Sequence, residues 1–188
     1  MSSLFHATTE ISYYGVRKSI PTCRCNGQTP SEDELPLCYT SDWEGVTLPE
    51  FLNCSHNLAH NRQTRMLANL SLVDCYRSVN SDSAPYKQTL LDSAKDNLKN
   101  MAFFGLKSYP NETQYLFEHT FGIKFSQPIS LLKPRSIHST KEYFASLNAE
   151  TRDKVDTRND LDLKLYDYAY RLFMERYEYA KRFYRPKH

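Results

Sequence analysis

Residues 93–106 read SAKDNLKNMAFFGL, and the change of pattern within this stretch decides the predicted fold. Its first half completes a helix expected from Pro85 to Asn100, because the apolar residues there recur every three or four positions. Its second half, the apolar run at 101–106, predicts a strand buried on both faces, as in parallel sheets. Such a strand needs parallel neighbours, and no other segment of this chain supplies them. The sequence therefore predicts part of an α/β domain that is mostly helical, with one buried parallel-type strand.

Capping and spacing signals predict helices on both sides of this stretch. Thr47 followed by Glu50 forms a capping-box pattern at the start of a short helix. Pro110 opens another helix, which ends at Gly122, a residue suited to a helix C-terminus. After a proline-containing loop at 124–139, the remainder is predicted to be helical from an apolar stripe formed by Leu161, Leu165, Tyr168, Leu172 and Phe173.

Length and composition bound the class of protein. A chain of 188 residues with 40% apolar and 24% charged residues fits one folded domain, or a large part of one. The formal net charge of +2 is too small to indicate nucleic-acid binding. The sequence has no apolar run long enough to span a bilayer and no signal-type beginning, so this polypeptide is predicted neither to cross a membrane nor to be exported by itself.

The cysteines and the N-glycosylation triplets point to an oxidising compartment. All five cysteines lie in the first 75 residues, and their spacing does not match a paired zinc motif. Disulfides are the better explanation, and our hypothesis is a Cys25–Cys38 bridge that closes the intervening loop. Three sequons, at Asn53, Asn69 and Asn111, agree with secretory glycosylation.

No catalytic motif stands out. His56 and His60 lie four residues apart and close to Cys54, which brings three potential metal ligands together. Two solvent-facing helix histidines are the more ordinary explanation, because a catalytic zinc helix also needs a glutamate base and a distant third ligand. We therefore predict no metal site. The chain also contains no glycine-rich phosphate loop and no recognisable nucleophile arrangement.

Polar residues recur on one side of a further predicted helix, which begins near Asn57. Asn61 and Arg65 share that side, and with Arg62 they offer amide and guanidinium donors suited to sugar hydroxyls, carboxylates or sulfates. A solvated face with structural hydrogen bonds explains the pattern equally well. A second group of anion-binding side chains lies in the loop at 126–139, where a plain charged surface loop is the alternative.

Taken together, six segments resemble one family, the heparan sulfate 6-O-sulfotransferases. They are CNGQTPSEDELPLCY (25–39), DWEGVTLPEFLNC (42–54), NLAHNRQTRMLANLSLVDCY (57–76), SAKDNLKNMAFFGL (93–106), TQYLFEHTFGIKF (113–125) and LDLKLYDYAYRLFMERY (161–177). The resemblance assigns residues 18–180 to the C-terminal part of a sulfotransferase domain. An unmatched segment, 1–17, precedes it, and a basic tail, 181–188, follows it.

The resemblance implies a P-loop sulfotransferase-type α/β fold and the activity of the family. These enzymes transfer a sulfuryl group from 3′-phosphoadenylyl sulfate to the 6-hydroxyl of glucosamine in heparan sulfate, without a metal. They are type II Golgi membrane proteins with a lumenal domain, so any membrane attachment would come from an N-terminal anchor outside this chain. The phosphosulfate loop and the base histidine of the family lie upstream of the matched part, so no catalytic residue carries over.

One nucleotide-contacting loop does carry over by resemblance. It falls on Ser130, Leu131 and Leu132 and, after a gap of one residue, on Arg135 and Ser136. Arg135 is the strongest of these, because a guanidinium holds a phosphate through paired charge-assisted hydrogen bonds. Ser130, Leu131 and Leu132 are expected to contribute mainly backbone groups.

The expected function is therefore heparan sulfate 6-O-sulfotransferase for the complete gene product, and the 188-residue chain is expected to be either inactive alone or a truncated gene model. The alternative is a non-catalytic helical module that binds heparan sulfate through Arg62, Arg65 and the basic tail. A cytosolic helical scaffold is a third and weaker interpretation. Nucleic acid is not an expected partner.

Overall fold

In the computed structural model, the described residues are 25, 30–36, 38, 45–76, 82–131 and 140–183. The elements they form are helical: α1 (Leu48–Asn53), α2 (Arg62–Leu67), a 3-10 turn η1 (Leu70–Val73), α3 (Ala84–Asn100), α4 (Pro110–Phe121), a second 3-10 turn η2 (Ile129–Leu131), α5 (Thr140–Ser146), α6 (Ala149–Arg158) and α7 (Asp160–Phe183). Within these ranges, no helix is both long and apolar enough to cross a membrane.

Helices α3 and α7 form the core. Helix α7 has 24 residues, and its apolar stripe packs against α3, α4 and α2. Leu161, Leu165 and Phe173 of the predicted stripe are buried, which confirms the helical period read from the sequence. Tyr168 packs at the edge of this core, half-buried. The buried residues contributed by α3 are Tyr86, Leu90, Leu91, Ala94 and Leu98.

The capping predictions are confirmed. The Thr47 side chain accepts from the backbone N–H of Glu50, and the Glu50 carboxylate accepts from the backbone N–H of Thr47 at 2.8 Å. Helix α4 begins at Pro110, and Gly122 ends it in the left-handed conformation with φ of 65°. Local hydrogen-bond chemistry is enough to set these boundaries, so they could be read from neighbouring residues alone.

The strand predicted at 101–106 is not confirmed, because this segment is irregular in the structure. Its phenyl rings pack on helices instead: Phe103 lies 5.2 Å from Phe117 of α4 between ring centroids, and Phe104 lies 6.1 Å from Phe173 of α7. A short apolar run carries no signal that separates a buried strand from a buried connector. The described part of the chain is thus mostly helical, without the buried strand that the sequence predicts.

The segment 101–106 lies between α3 and α4, and side chains form hydrogen bonds with some of the backbone groups of this connector and of the end of α3. The backbone N–H of Leu106 donates to the Thr113 hydroxyl at 3.0 Å, and that hydroxyl donates to the Leu106 carbonyl oxygen at 3.1 Å. Arg176 of α7 donates to the carbonyl oxygens of Lys99 and Met101, at 2.6 and 2.9 Å, and so caps the C-terminal end of α3. Hydrogen bonds from two neighbouring helices therefore hold the connector in place.

The predicted Cys25–Cys38 bridge is wrong. The structure pairs Cys25 with Cys75 and Cys38 with Cys54, with Cα–Cα distances of 5.7 and 5.9 Å. The hypothesis rested on a short loop between Cys25 and Cys38, whereas Cys54 directly follows α1 and Cys75 lies two residues after the end of η1. The fold, rather than loop length, brings the bonded pairs together. The fifth cysteine, Cys23, lies outside the described residues.

Candidate functional site

The helices α2 and α7 cap each other across about 100 residues of sequence. The Asn61 side-chain oxygen accepts from the backbone N–H groups of Leu161 and Asp162, at 2.9 and 3.2 Å. In return, the Asp162 carboxylate accepts from the backbone N–H groups of Gln63 and Thr64, at 3.0 and 2.7 Å, and from the Thr64 hydroxyl at 2.7 Å. Each side chain thereby satisfies donors that a helix N-terminus leaves unpaired. We call this arrangement the reciprocal cap.

The reciprocal cap is buried. Thr64 is fully enclosed and Asp162 is 4% exposed. Burial raises the pKa of the Asp162 carboxyl above its usual value, although the hydrogen bonds from Thr64 and Gln63 and the charge of Arg65 act in the opposite direction. The cap fixes the turn that precedes α2 against the first turn of α7.

The polar side predicted for the helix near Asn57 is only partly present. Helix α2 begins at Arg62, because the Asn57 side chain closes a turn: it accepts from the Ala59 N–H and donates to the Phe51 carbonyl oxygen, both at 2.9 Å. Asn57 and Asn61 are buried in structural hydrogen bonds. Arg62 Nε lies 3.3 Å from the Met66 sulfur on the outer side of α2.

A cleft of about 90 Å³ opens beside the reciprocal cap. Three of its walls carry a basic side chain: Arg65 from α2, Lys87 from α3 and Arg158 from α6. Asp82, 84% exposed at its side chain, lies 3.7 Å from the Lys87 ammonium. The other lining residues are Ser55, His60, Asn61, Tyr86, Leu90, Thr157 and Leu161.

The two arginines are held in place through their Nε atoms. Arg65 Nε donates to the His60 carbonyl oxygen at 3.2 Å, and Arg158 Nε donates to the Leu52 carbonyl oxygen at 3.0 Å. Within the described ranges, neither guanidinium has a carboxylate within 4.0 Å. Both side chains are half-buried, so their charge is screened less than on an open surface.

His60 is buried and lines the same cleft as these arginines, which corrects the expectation of a solvent-facing histidine. Its side chain lies edge-on to Phe51, with ring centroids 6.3 Å apart, and the residue is 6% exposed. Burial, followed by the charges of Arg158 and Arg65, lowers the pKa of His60 from 6.5 to about 4. The imidazole is therefore neutral at pH 7. Cys54 is bonded to Cys38, and the described residues hold no group of three or more metal-ligating side chains.

The nucleotide-contacting loop is described only at its start. Ser130 is exposed and Leu131 closes the 3-10 turn η2, whose first N–H, that of Ile129, donates to the Gln114 side-chain oxygen at 2.7 Å. The predicted residues Leu132, Arg135 and Ser136 lie outside the described residues. All three sequon asparagines, Asn53, Asn69 and Asn111, are exposed.

Among the basic residues of the cleft, the sequence pattern predicts Arg65 but not Lys87 or Arg158, and it predicts a solvent-facing His60, which is buried. Arg65 could be predicted because it follows Asn57 and Asn61 at a spacing of four residues, which places the three on one side of a helix. Lys87 and Arg158 come from other helices, and no local pattern links them to α2. Only the tertiary packing of α2, α3 and α6 creates the cleft.

Comparison with known proteins identifies the family. A family model described as "Sulfotransferase family" matches residues 5–169. The chain is 48% identical over 156 residues to heparan-sulfate 6-O-sulfotransferase 1-B of Danio rerio, 82% of this chain and 37% of that protein. It is 46% identical over 158 residues to heparan-sulfate 6-O-sulfotransferase 2 of Gallus gallus (84% and 38%), and 48% identical to heparan-sulfate 6-O-sulfotransferase 1 of Homo sapiens (84% and 37%).

The chain thus spans less than two fifths of the length of the curated relatives it matches. The family match nonetheless covers most of the chain itself. The chain belongs to the sulfotransferase family, within which its sequence groups with the heparan-sulfate 6-O-sulfotransferases.

Proposed function

We propose that this chain acts as the C-terminal part of a heparan sulfate 6-O-sulfotransferase. The donor would be 3′-phosphoadenylyl sulfate, and the acceptor the 6-hydroxyl of glucosamine in heparan sulfate. The observation that carries the proposal is the 46–48% identity, over 156–158 residues, to proteins named for this reaction. Identity of this degree across several helices and their connectors supports a shared fold and, with it, a shared role.

Donor contacts are proposed for Ser130, Leu131, Leu132, Arg135 and Ser136. Arg135 would pair with a phosphate of the nucleotide through its guanidinium, and Ser136 would add a hydroxyl donor. Ser130 lies exposed on η2, where its backbone and hydroxyl are accessible to a ligand. The donor set is thus chemically suited to a phosphate, although the base and the sulfate-cradling loop of the reaction have to come from elsewhere.

Acceptor contacts are proposed for Asn61, Arg62 and Arg65. Asn61 and Arg65 line the cleft, while Arg62 lies on the outer side of α2 beside Met66. Arg65 is the most suitable of the three, because the Asn61 side-chain oxygen is already engaged in the reciprocal cap. A guanidinium is suited to the sulfate and carboxylate groups of heparan sulfate.

The proposed location is the lumenal side of the Golgi, as a glycosylated type II membrane protein anchored through a segment outside this chain. Two disulfides support an oxidising compartment, because such bonds are rare where thiols are kept reduced. The exposed asparagines of the three sequons are accessible to glycan addition.

A chimera tests the proposal. The part of the Danio rerio 6-O-sulfotransferase 1-B that aligns with this chain is replaced by the matching 156 residues. We expect the chimera to transfer ³⁵S-sulfate from the donor to N-sulfated heparosan, and an Arg135→Ala chimera to show a raised KM for the donor. A folded chimera without transfer, beside an active parent enzyme, contradicts the proposal.

A second candidate function is a non-catalytic module that binds heparan sulfate. It is favoured by one observation: the cleft presents two arginines without a carboxylate partner among the described residues. Salt-sensitive binding of heparan sulfate, combined with an inactive chimera, would favour the module.

A further inference from the structure

The cleft beside the reciprocal cap has an unbalanced positive charge. Arg65, Arg158 and Lys87 line it, and Asp82 is the one acidic residue among its lining residues. Asp162 is nearby, but its carboxylate is occupied by Gln63 and Thr64 and buried in the cap. The lining therefore carries three cations and one exposed anion, and that anion pairs with Lys87. The charge without a carboxylate partner in the described part of the chain belongs to the two arginines.

The two arginines that line the cleft are each held in place by a backbone carbonyl. Each is tethered by Nε to a backbone carbonyl, Arg65 to His60 and Arg158 to Leu52, so each keeps its terminal nitrogens for another partner. Both act on the same imidazole, since the charge of each lowers the pKa of His60. Holding two half-buried like charges near one another is unfavourable unless an anion lies between them.

The buried His60 side chain also points to a ligand. Its Nε2 atom is buried and has no hydrogen-bond partner within the described part of the chain. Buried polar atoms are nearly always paired, and an unpaired one indicates a missing water, ion or ligand group. The residue is 6% exposed, and it lines the same cleft as the two arginines. Counting only the described residues, an imidazole without a hydrogen-bond partner and two guanidiniums without a carboxylate partner thus line one cleft.

We propose that this cleft binds one sulfo or carboxylate group, held by Arg65 and Arg158 with His60 as a neutral hydrogen-bonding partner. The cleft volume of about 90 Å³ suits a single group of this size rather than a sugar ring. The source of the group is a sulfated glycosaminoglycan chain running over the surface, an identification that rests on the proposed function. Free sulfate is the other source with the same chemistry.

The test uses the full 188-residue chain and follows the His60 imidazole by NMR. An N-sulfated heparosan hexasaccharide and sodium sulfate are titrated separately at constant ionic strength. We expect the hexasaccharide to shift the His60 resonance saturably, with an affinity at least tenfold above that of sulfate. Equal affinity for the two would overturn the polysaccharide as the source.

Matched variants locate the binding. Arg158→Ala and Arg65→Ala should each weaken the titration of His60 at least fivefold. Arg152→Ala should not, since it removes the same charge from an exposed position on the same helix as Arg158. If an alanine variant does not fold, the lysine variant at that position serves instead, because lysine keeps the charge but loses the paired donors.

Three results would overturn the proposal: no shift at His60, binding that Arg152→Ala weakens as much as Arg158→Ala, or unchanged binding in both cleft variants. A failed titration beside an active chimera would reject this cleft as a subsite and leave the proposed function standing. An inactive chimera beside a positive titration would reject the proposed function and leave the cleft standing as an anion-binding site.

Discussion

The environment of His60 makes the stability of the protein depend on pH in a calculable way. In the folded state its pKa is about 4, against 6.5 for an ordinary histidine. As the pH falls below 6.5, the unfolded chain takes up a proton that the folded chain does not bind until about pH 4. The stability associated with the neutral imidazole is therefore present above pH 6.5 and is lost as the pH falls towards 4.

The size of this effect follows from the two pKa values. Their difference is about 2.5 pH units, each worth about 1.4 kcal/mol, which gives about 3 kcal/mol between pH 7 and pH 4. For a denaturant slope of about 2 kcal/mol per molar urea, that is a change of about 1.5 M in the unfolding midpoint. Carboxylates add their own pH dependence, and the raised pKa of Asp162 acts in the opposite direction.

The test measures urea unfolding of the chain and of a His60→Gln variant at pH values from 7 to 4. Comparing the two separates the contribution of His60 to the pH dependence of stability from the contribution of the carboxylates. Glutamine keeps a polar side chain but does not titrate, so the difference between the two curves isolates His60. We expect the variant to lose about 3 kcal/mol less than the parent over this range. Parallel curves would refute the reasoning, because His60 would then not be buried beside Arg65 and Arg158.

Three further changes test other parts of the structure. Asn61→Ala removes one half of the reciprocal cap at a residue with φ of 50°, and should lower the free energy of unfolding by about 2 kcal/mol in urea melts; an unchanged midpoint would contradict the cap. Gly105→Ala introduces a Cβ that collides with Thr113, and should cost about 1–3 kcal/mol, measured in the same way; neutrality would show that the connector is loosely packed. Cys38→Ser should leave Cys54 as a free thiol in peptide mapping and lower stability by about 3 kcal/mol; a free Cys25 instead would contradict the pairing.

The start of α1 and both ends of α4 could be predicted from the sequence, because the groups that set them are neighbours in the chain. Thr47 and Glu50 are three residues apart, and each side chain accepts a hydrogen bond from the backbone N–H of the other without help from distant residues. Pro110 and Gly122 act through their own backbone preferences. The buried stripe of α7 was also predictable, since helical spacing of apolar residues is a local property.

The features that sequence reasoning missed depend on distant residues. The helix expected near Asn57 begins at Arg62, because Asn57 bonds within a turn and Asn61 caps a helix about 100 residues away. The apolar run at 101–106 packs on α4 and α7, so its hydrophobicity is satisfied without a sheet. Arg158 reaches the cleft only through the packing of α6 beside α1. No spacing rule links such positions.

The most direct test of the central claim is the position of the sulfate that the chimera adds. Its product is digested with heparin lyases, and the disaccharides are separated and identified by mass spectrometry against standards. If this chain supplies the C-terminal part of a heparan sulfate 6-O-sulfotransferase, the new sulfate lies on the 6-hydroxyl of glucosamine. Sulfate at another position, or none from a folded chimera, would contradict the claim.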